Sequence, residues 1–283
     1  MQEEYIYSLR EGRRITRIGN KANSLRFLAQ SGFPIPATYV CTWDAYVRYI
    51  QGDMQVIQHL RSELAAKLDS AKSYAVRSSA NLEDGQDLSF AGQFETVLDV
   101  RGVDAILAAI QFVWKTTQSP AIQAYLGQRG SGTQDLKMAV IIQEMVNAKV
   151  SGVSFSRNPT TGLDEVLVEA IRGSGEALVQ DGVTPQRWIN KWGTWTETPD
   201  AASSGHEIPI DIVDDVVHQT KQIAGTYRRP VDLEWVHDGR SIRWVQMREI
   251  TALDISVFSN RVSNEVFPGV IKPLVWSVNV PLV

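Results

Sequence analysis

The sequence predicts an α+β protein built as two lobes, and three observations carry that prediction. Helix-period segments dominate the first half of the chain, while strand-like segments with tight turns dominate the second. At 283 residues the chain is long enough for two lobes with cores of their own. The pattern changes at the Gly130–Gly132 stretch, which reads as a linker, so the expected division is 1–130 and 131–253.

The elements follow in order. Gly19-Asn20-Lys21-Ala22-Asn23 leads into an amphipathic helix carrying Leu25 and Leu28, ended by Gly32 and the Pro34/Pro36 pair. Thr38 to Cys41 predicts a short strand, and helices follow over Trp43–Ile50 and Gln55–Leu68. Ser73–Arg77 is a strand, Asn81–Gly92 a polar glycine-containing loop, and Phe94–Val100 resumes strand character. Val103–Thr116 is helical, and Pro120–Gln128 is assigned as a helix too. Beyond the linker, Met138–Met145, Val150–Ser156 and Val166–Ala170 are strands, with a tight turn at Asn158-Pro159. Residues 184–198 add short Trp-rich strands, Ile210–Tyr227 a helix, and 231–248 a β-hairpin around His237-Asp238-Gly239. Residues 254–283 read as a connector without a core.

The hairpin carries the most chemistry. With a three-residue loop and Gly239 left-handed, position 234 pairs with 242 and 232 with 244. Asp232, Glu234, Gln246 and Arg248 then share one face, and Val231, Leu233, Trp235, Val245 and Met247 form a core face. A two-residue Asp238-Gly239 turn would split Glu234 from Gln246, and the apolar count favours the first register. A carboxylate, an amide oxygen and a guanidinium on one face suit Mg²⁺ plus phosphate.

Composition excludes several classes. A 43% hydrophobic, 21% charged chain with a net charge of −4 is an ordinary globular composition without the basic stripe of a nucleic-acid binder. No uncharged apolar run approaches the ~20 residues of a membrane span. Met1-Gln2-Glu3-Glu4 lacks a signal-peptide pattern, and the single cysteine, Cys41, excludes internal disulfides, so a cytoplasmic location is expected. His59, His206, His218 and His237 show no metal-ligand spacing. Neither a nucleophile elbow nor a Gly-x-x-x-x-Gly-Lys-Ser/Thr phosphate loop is present.

Four further segments are candidates. Lys21 at a helix start faces the positive dipole end that attracts phosphate, although by itself it reads first as a solvated lysine. Arg77 opens into Ser78-Ser79 and, further on, Phe90-Ala91-Gly92-Gln93-Phe94-Glu95-Thr96; it suits either a phosphate or a salt bridge to Glu83 or Asp84. Gln143-Glu144-Met145-Val146 ends an apolar run whose backbone, at a sheet edge, could read adenine; an ordinary edge strand is the plainer reading. Glu169 precedes a glycine-rich turn, Gly173-Ser174-Gly175, which lacks the third glycine of a dinucleotide fingerprint.

In this order the segments resemble the N-terminal nucleotide-binding domain of the pyruvate-phosphate dikinase and phosphoenolpyruvate synthase family, which includes the rifampicin phosphotransferases. The resemblance runs from about Gly19 to Thr251. It rests on Gly19-Asn20-Lys21-Ala22-Asn23-Ser24-Leu25, Gly32-Phe33-Pro34-Ile35-Pro36, Ala75-Val76-Arg77-Ser78-Ser79-Ala80 and Ser89-Phe90-Ala91-Gly92-Gln93. Gln143-Glu144-Met145-Val146, Gly152-Val153-Ser154-Phe155-Ser156-Arg157-Asn158-Pro159, Val231-Asp232-Leu233-Glu234-Trp235 and Gln246-Met247-Arg248-Glu249-Ile250-Thr251 complete it. It implies an ATP-grasp fold with two lobes clamping ATP. It implies Lys21, Arg77 and Arg248 on the phosphates in catalytic roles, Gly92 and Thr96 near them, Gln143, Glu144, Met145 and Val146 beside adenine, and Glu234 and Gln246 on Mg²⁺.

Such enzymes pass the β-phosphoryl group of ATP to a histidine on a swivelling domain, and thence to an acceptor such as pyruvate. The phosphocarrier signature is absent here: His206, in Ser204-Gly205-His206-Glu207-Ile208-Pro209, does not match it. The expected partner is therefore a phosphohistidine domain or subunit, in cis or in trans, with neither nucleic acid nor membrane involved. The same first half-reaction serves antibiotic and glucan phosphotransferases, and a non-catalytic nucleotide-binding module is the remaining alternative.

Overall fold

Two antiparallel sheets with helices packed on them account for most of the chain in the computed structural model, which describes residues 3–12, 14–81, 84–85, 88–89, 96–120, 122, 136–174, 184–199 and 208–250. The first sheet contains β1 (Ile6–Ser8), β2 (Thr38–Cys41), β3 (Ser73–Ala80), β6 (Thr96–Arg101) and β7 (Met138–Glu144), in the order β1-β2-β7-β3-β6. A two-stranded ladder of β4 (Asp84–Gly85) and β5 (Leu88–Ser89) follows β3. The second sheet contains β8 (Val150–Phe155), β9 (Val166–Arg172), β10 (Gln186–Lys191), β11 (Thr194–Glu197), β12 (Val231–His237) and β13 (Ile242–Glu249), ordered β11-β10-β9-β8-β12-β13.

Helix α1 (Gly19–Gln30) is shared between the sheets. Its buried stripe of Ala22, Leu25 and Leu28 repeats every three residues. It packs in one core with Ala139 and Ile141 of β7 and with Trp235, Trp244 and Met247 of the β12–β13 hairpin. The helix stops at Gly32, whose φ of +84° lets the Gly32 N–H reach the Ala29 carbonyl and the Phe33 N–H the Leu28 carbonyl, a Schellman closure. The following turn then gives the Pro34 carbonyl to the Trp244 N–H at 2.9 Å, tying the end of α1 to the hairpin.

The opposite face of the first sheet is covered by α2 (Trp43–Ile50), α3 (Gln55–Lys67) and α4 (Val103–Thr116), around Tyr74, Val76, Val140, Ile142 and Trp114. Strand β1 ends the sheet, and α3 protects that edge. The Glu63 carboxylate accepts the N–H groups of Tyr5 and Ile6, each at 2.9 Å, and Lys67 Nζ donates to the Ile6 carbonyl at 2.6 Å. The second sheet is covered on one face by α5 (Ile210–Tyr227), where Val213, Val216, Val217 and Ile223 meet Val150, Val168, Leu233 and Trp235. Its other face is where the polar hairpin residues lie.

Most of the predicted elements form, with small differences at their ends; β4 and β5 pair within the segment expected as a loop, and β1 is an addition to the expected strands. Strand β3 continues three residues past Arg77, and β9 two past Ala170. β7, which follows residue 131, is the central strand of the first sheet, between β2 and β3. The expected helix over 120–128, the 130–132 linker and the 254–283 connector lie outside the described residues, apart from isolated positions. Among the described residues no helix is long and apolar enough to cross a membrane.

Candidate functional site

The hairpin reaches the expected face by a different route. Asp238 Oδ1 accepts the N–H groups of Arg240 at 2.8 Å and Ser241 at 2.9 Å, and Gly239 has φ +94°. These close a four-residue loop in which His237 faces Ile242. The three-residue loop, with 234 opposite 242 and 232 opposite 244, does not form. A bulge at Val245, between the Trp235–Trp244 and Glu234–Gln246 pairs, restores the parity that the longer loop removes. Glu234 then pairs with Gln246 and Asp232 with Arg248, so these four share one face as the sequence indicated. The bulge also corrects the core face: Ile242 and Trp244 are buried there, and Val245 is only partly buried.

On the first sheet, Arg77 projects from the middle of β3, opposite Thr96 on β6 and Ile141 on β7. Its Nη1 donates to the carbonyl of the bulged Val245 at 3.3 Å, and its Nη2 to Glu234 Oε2 at 3.3 Å. Arg248 Nη2 donates to the other oxygen, Glu234 Oε1, at 3.2 Å. Among the described residues the acidic partner of Arg77 is Glu234, far along the chain; Glu83 and the Asp84 side chain, the alternative partners, lie outside the described residues. Burial is the main force pushing the Asp232 carboxyl up to about 6; the Glu234 charge adds to it and Arg248 opposes it. Asp232 is the residue whose role the sequence reading passed over, although its place on the polar face was visible.

Lys21 lies in the first turn of α1, half-buried, at the end of the helix set against β3. That end is fixed by Gly19 and Ser79. Gly19 has φ +74°, and a Cβ there would come within 2.1 Å of the Ser79 carbonyl oxygen. Ser79 Oγ donates to the Ile18 carbonyl at 2.7 Å and accepts the Ala22 N–H at 3.1 Å. The Ser79 hydroxyl is therefore a buried helix anchor and not a phosphate-lining group. Thr96 is exposed on the same side of the sheet as Arg77. Gly92 lies outside the described residues, as does the segment from Gly175 to 183.

The 143–146 segment differs from an edge strand. β7 is central, so its ladder groups are already used: the Glu144 N–H goes to the Ala37 carbonyl at 2.8 Å and the Met145 N–H to the Ser73 carbonyl at 2.9 Å. The Gln143 side chain is buried against Thr38 Oγ1 at 3.3 Å, and Glu144 Oε2 takes Lys72 Nζ at 2.9 Å. Among the described residues the Val146 N–H has no acceptor, so the backbone available to a ligand begins where the strand ends. On the second sheet, Glu169 opposes Val153, which opposes Glu234, so a row of side chains crosses the polar face.

The donor set fits a hard divalent cation. Asp232, Glu234 and Gln246 offer carboxylate and amide oxygens, and Gln246 is buried opposite Glu234. Among the described residues no cluster of three or more His, Cys, Asp or Glu could hold a metal unaided, so a cation held there would need further oxygens from a ligand. Arginines on two sides supply forked donors for phosphate.

Residues 53–196 match the family described as pyruvate phosphate dikinase, AMP/ATP-binding domain. The chain belongs to that family. The matched span carries Arg77, Thr96 and the 143–146 segment; Lys21 and the hairpin lie on either side of it. A probable phosphoenolpyruvate synthase of Archaeoglobus fulgidus is 33% identical over 202 residues, covering 63% of this chain and 27% of that protein. The phosphotransferase YvkC of Bacillus subtilis is 28% identical over 279 residues, covering 83% of this chain and 34% of that protein. The prodigiosin synthesizing transferase PigC of Serratia marcescens is 28% identical over 284 residues, 83% and 32%. The chain thus spans about a quarter to a third of these relatives.

A dinucleotide-forming acetyl-coenzyme A synthetase 1 of Ca. Korarchaeum cryptofilum, solved with coenzyme A and Ca-AMPCP, superposes with a TM-score of 0.50 at 10% identity, covering 87% of this chain and 93% of that one. At that identity the likeness speaks for the fold alone, and the fold is ATP-grasp.

Proposed function

We propose that this chain is the Mg-ATP-binding part of a dikinase that passes the β-phosphoryl group of ATP to a histidine on another domain or subunit. The single observation that carries the reading is the convergence of Arg77, from the first sheet, and Arg248, from the hairpin, on Glu234. Family membership and the phosphoenolpyruvate synthases among the relatives support it.

In this reading Arg77, Arg248 and Lys21 hold phosphate oxygens, and Val146 presents its N–H to the base. Glu234, Gln246 and Asp232 would hold Mg²⁺, which when bound would neutralise phosphate charge as the group transfers. The chain's own contribution is positioning and charge stabilisation, without a protein nucleophile. Thr96 borders the phosphates beside Arg77. The acceptor, pyruvate or another, is selected outside this span, since relatives named as phosphoenolpyruvate synthases and as a prodigiosin transferase share it.

The test is to incubate the chain with Mg-ATP alone and with a histidine domain taken from a related phosphoenolpyruvate synthase. ATP intact in the first mixture and AMP released in the second is the expected pair of results. Sustained AMP production from the chain alone, or none in either mixture despite ATP binding, contradicts the dikinase reading.

A further inference from the structure

Four charged side chains meet at the polar face of the hairpin. Asp232 and Glu234 bring two carboxylates, Arg77 and Arg248 two guanidiniums, so with all four ionised the formal charges cancel. Both Glu234 oxygens are engaged, Oε2 by Arg77 at 3.3 Å and Oε1 by Arg248 at 3.2 Å. Asp232 stands directly across the ladder from Arg248. Arg77 is further held by the Val245 carbonyl. Because Arg77 belongs to β3 and Arg248 to β13, Glu234 is also a tie between the two sheets.

Two ligands meet this set differently. A free divalent cation finds Glu234 already held and must take it from two charge-assisted contacts. It also finds no third carboxylate or imidazole among the described residues to complete a shell. A polyphosphate anion competes with Glu234 for the arginines on better terms, because several oxygens face two planar forks at once. Once the arginines turn to phosphate, Glu234 is released beside Asp232, and phosphate oxygens add the ligands that a six-oxygen shell needs.

We propose that Arg77 and Arg248 form a latch on Glu234, so that the polyphosphate enters first and the chain has no standing site for a free divalent cation. This rests on the Mg-ATP reading and adds an order of loading to it.

The experiment uses Mn²⁺ as the metal probe and reads protein-bound Mn²⁺ by water-proton relaxation enhancement on the whole chain. The latch predicts no enhancement from chain plus Mn²⁺, and strong enhancement once ATP is added. Arg77→Gln and Arg248→Gln, made separately, should each gain ATP-independent Mn²⁺ binding by about tenfold or more, the scale of one charge-assisted contact. Calorimetry in EDTA should still show ATP binding to the wild-type chain. Tight Mn²⁺ binding by the wild type without ATP, left unstrengthened by either substitution, overturns the latch, as does loss of all ATP binding in EDTA. These measurements on the wild type stand even if a variant folds poorly. A Glu234→Ala chain that keeps full ATP-dependent enhancement would instead sink the Mg-ATP assignment itself, a separable result.

Discussion

Replacing Gly19 by alanine should disturb the start of α1 beside Lys21, the proposed phosphate contact, and Gly32 supplies the internal control. Both glycines have positive φ, +74° and +84°; Gly19 opens α1 and Gly32 lies just past its end. Alanine in that region of φ/ψ space costs about 1–2 kcal/mol at either position. At Gly32 nothing lies within 4 Å of the added Cβ, so that is the whole effect. At Gly19 the Cβ would meet the Ser79 carbonyl oxygen at 2.1 Å and its carbonyl carbon at 2.5 Å, both backbone atoms that cannot swing away. Relieving an overlap of that kind adds roughly 1–3 kcal/mol, for a total of about 2–5 kcal/mol. The movement falls two residues before Lys21 and loosens the Ser79 bridge to Ile18 and Ala22. Urea denaturation of both variants, with calorimetric ATP titration of each, is the assay. Gly19→Ala should lose more stability than Gly32→Ala and should weaken ATP binding, while Gly32→Ala leaves ATP binding unchanged. Equal stability losses, or intact ATP affinity in Gly19→Ala, would refute the claim that this close approach positions the start of α1.

Three other predictions test separate parts of the account. Asp232 has a folded pKa of about 6 against 3.8 for the unfolded chain, so the folded state holds its proton more tightly. Its contribution to stability is therefore full below pH 4 and is lost as pH rises through 6; Asp232→Asn should remove that slope from denaturation midpoints measured between pH 4 and 7. Glu234→Ala should abolish the Mg²⁺ dependence of ATP affinity while sparing base recognition, and ATP and AMP titrations with and without Mg²⁺ would show it. An unchanged Mg²⁺ dependence means the metal is held elsewhere. Glu63→Ala leaves the Tyr5 and Ile6 N–H groups without their acceptor, an expected loss of about 1–3 kcal/mol in urea denaturation; no measurable loss would mean water replaces the carboxylate at that edge.

Much of this was legible in the residues. Periodicity located the helices and strands because each buries one face or stripe, and a glycine followed by prolines marked where α1 ends. The polar face of Asp232, Glu234, Gln246 and Arg248 was readable from alternation alone. The register was not, because a four-residue loop with a bulge and a three-residue loop without one preserve the same parity, and local sequence hardly separates them. Likewise an apolar run such as 138–144 says that a strand is buried, not which sheet receives it or that it lies in the centre. The Ser79 anchor joins residues 57 or more positions apart, and the grip of Arg77 on Glu234 joins residues 157 apart, contacts that a reading of local pattern does not reach.

The most direct test of the central claim is calorimetric titration of the chain with ATP in the presence of Mg²⁺, repeated with Arg248→Ala. One site per chain is expected, with affinity reduced by the equivalent of about 1.5–3 kcal/mol in the variant. ATP binding of the same strength to both proteins would place the phosphates away from the hairpin and contradict the claim.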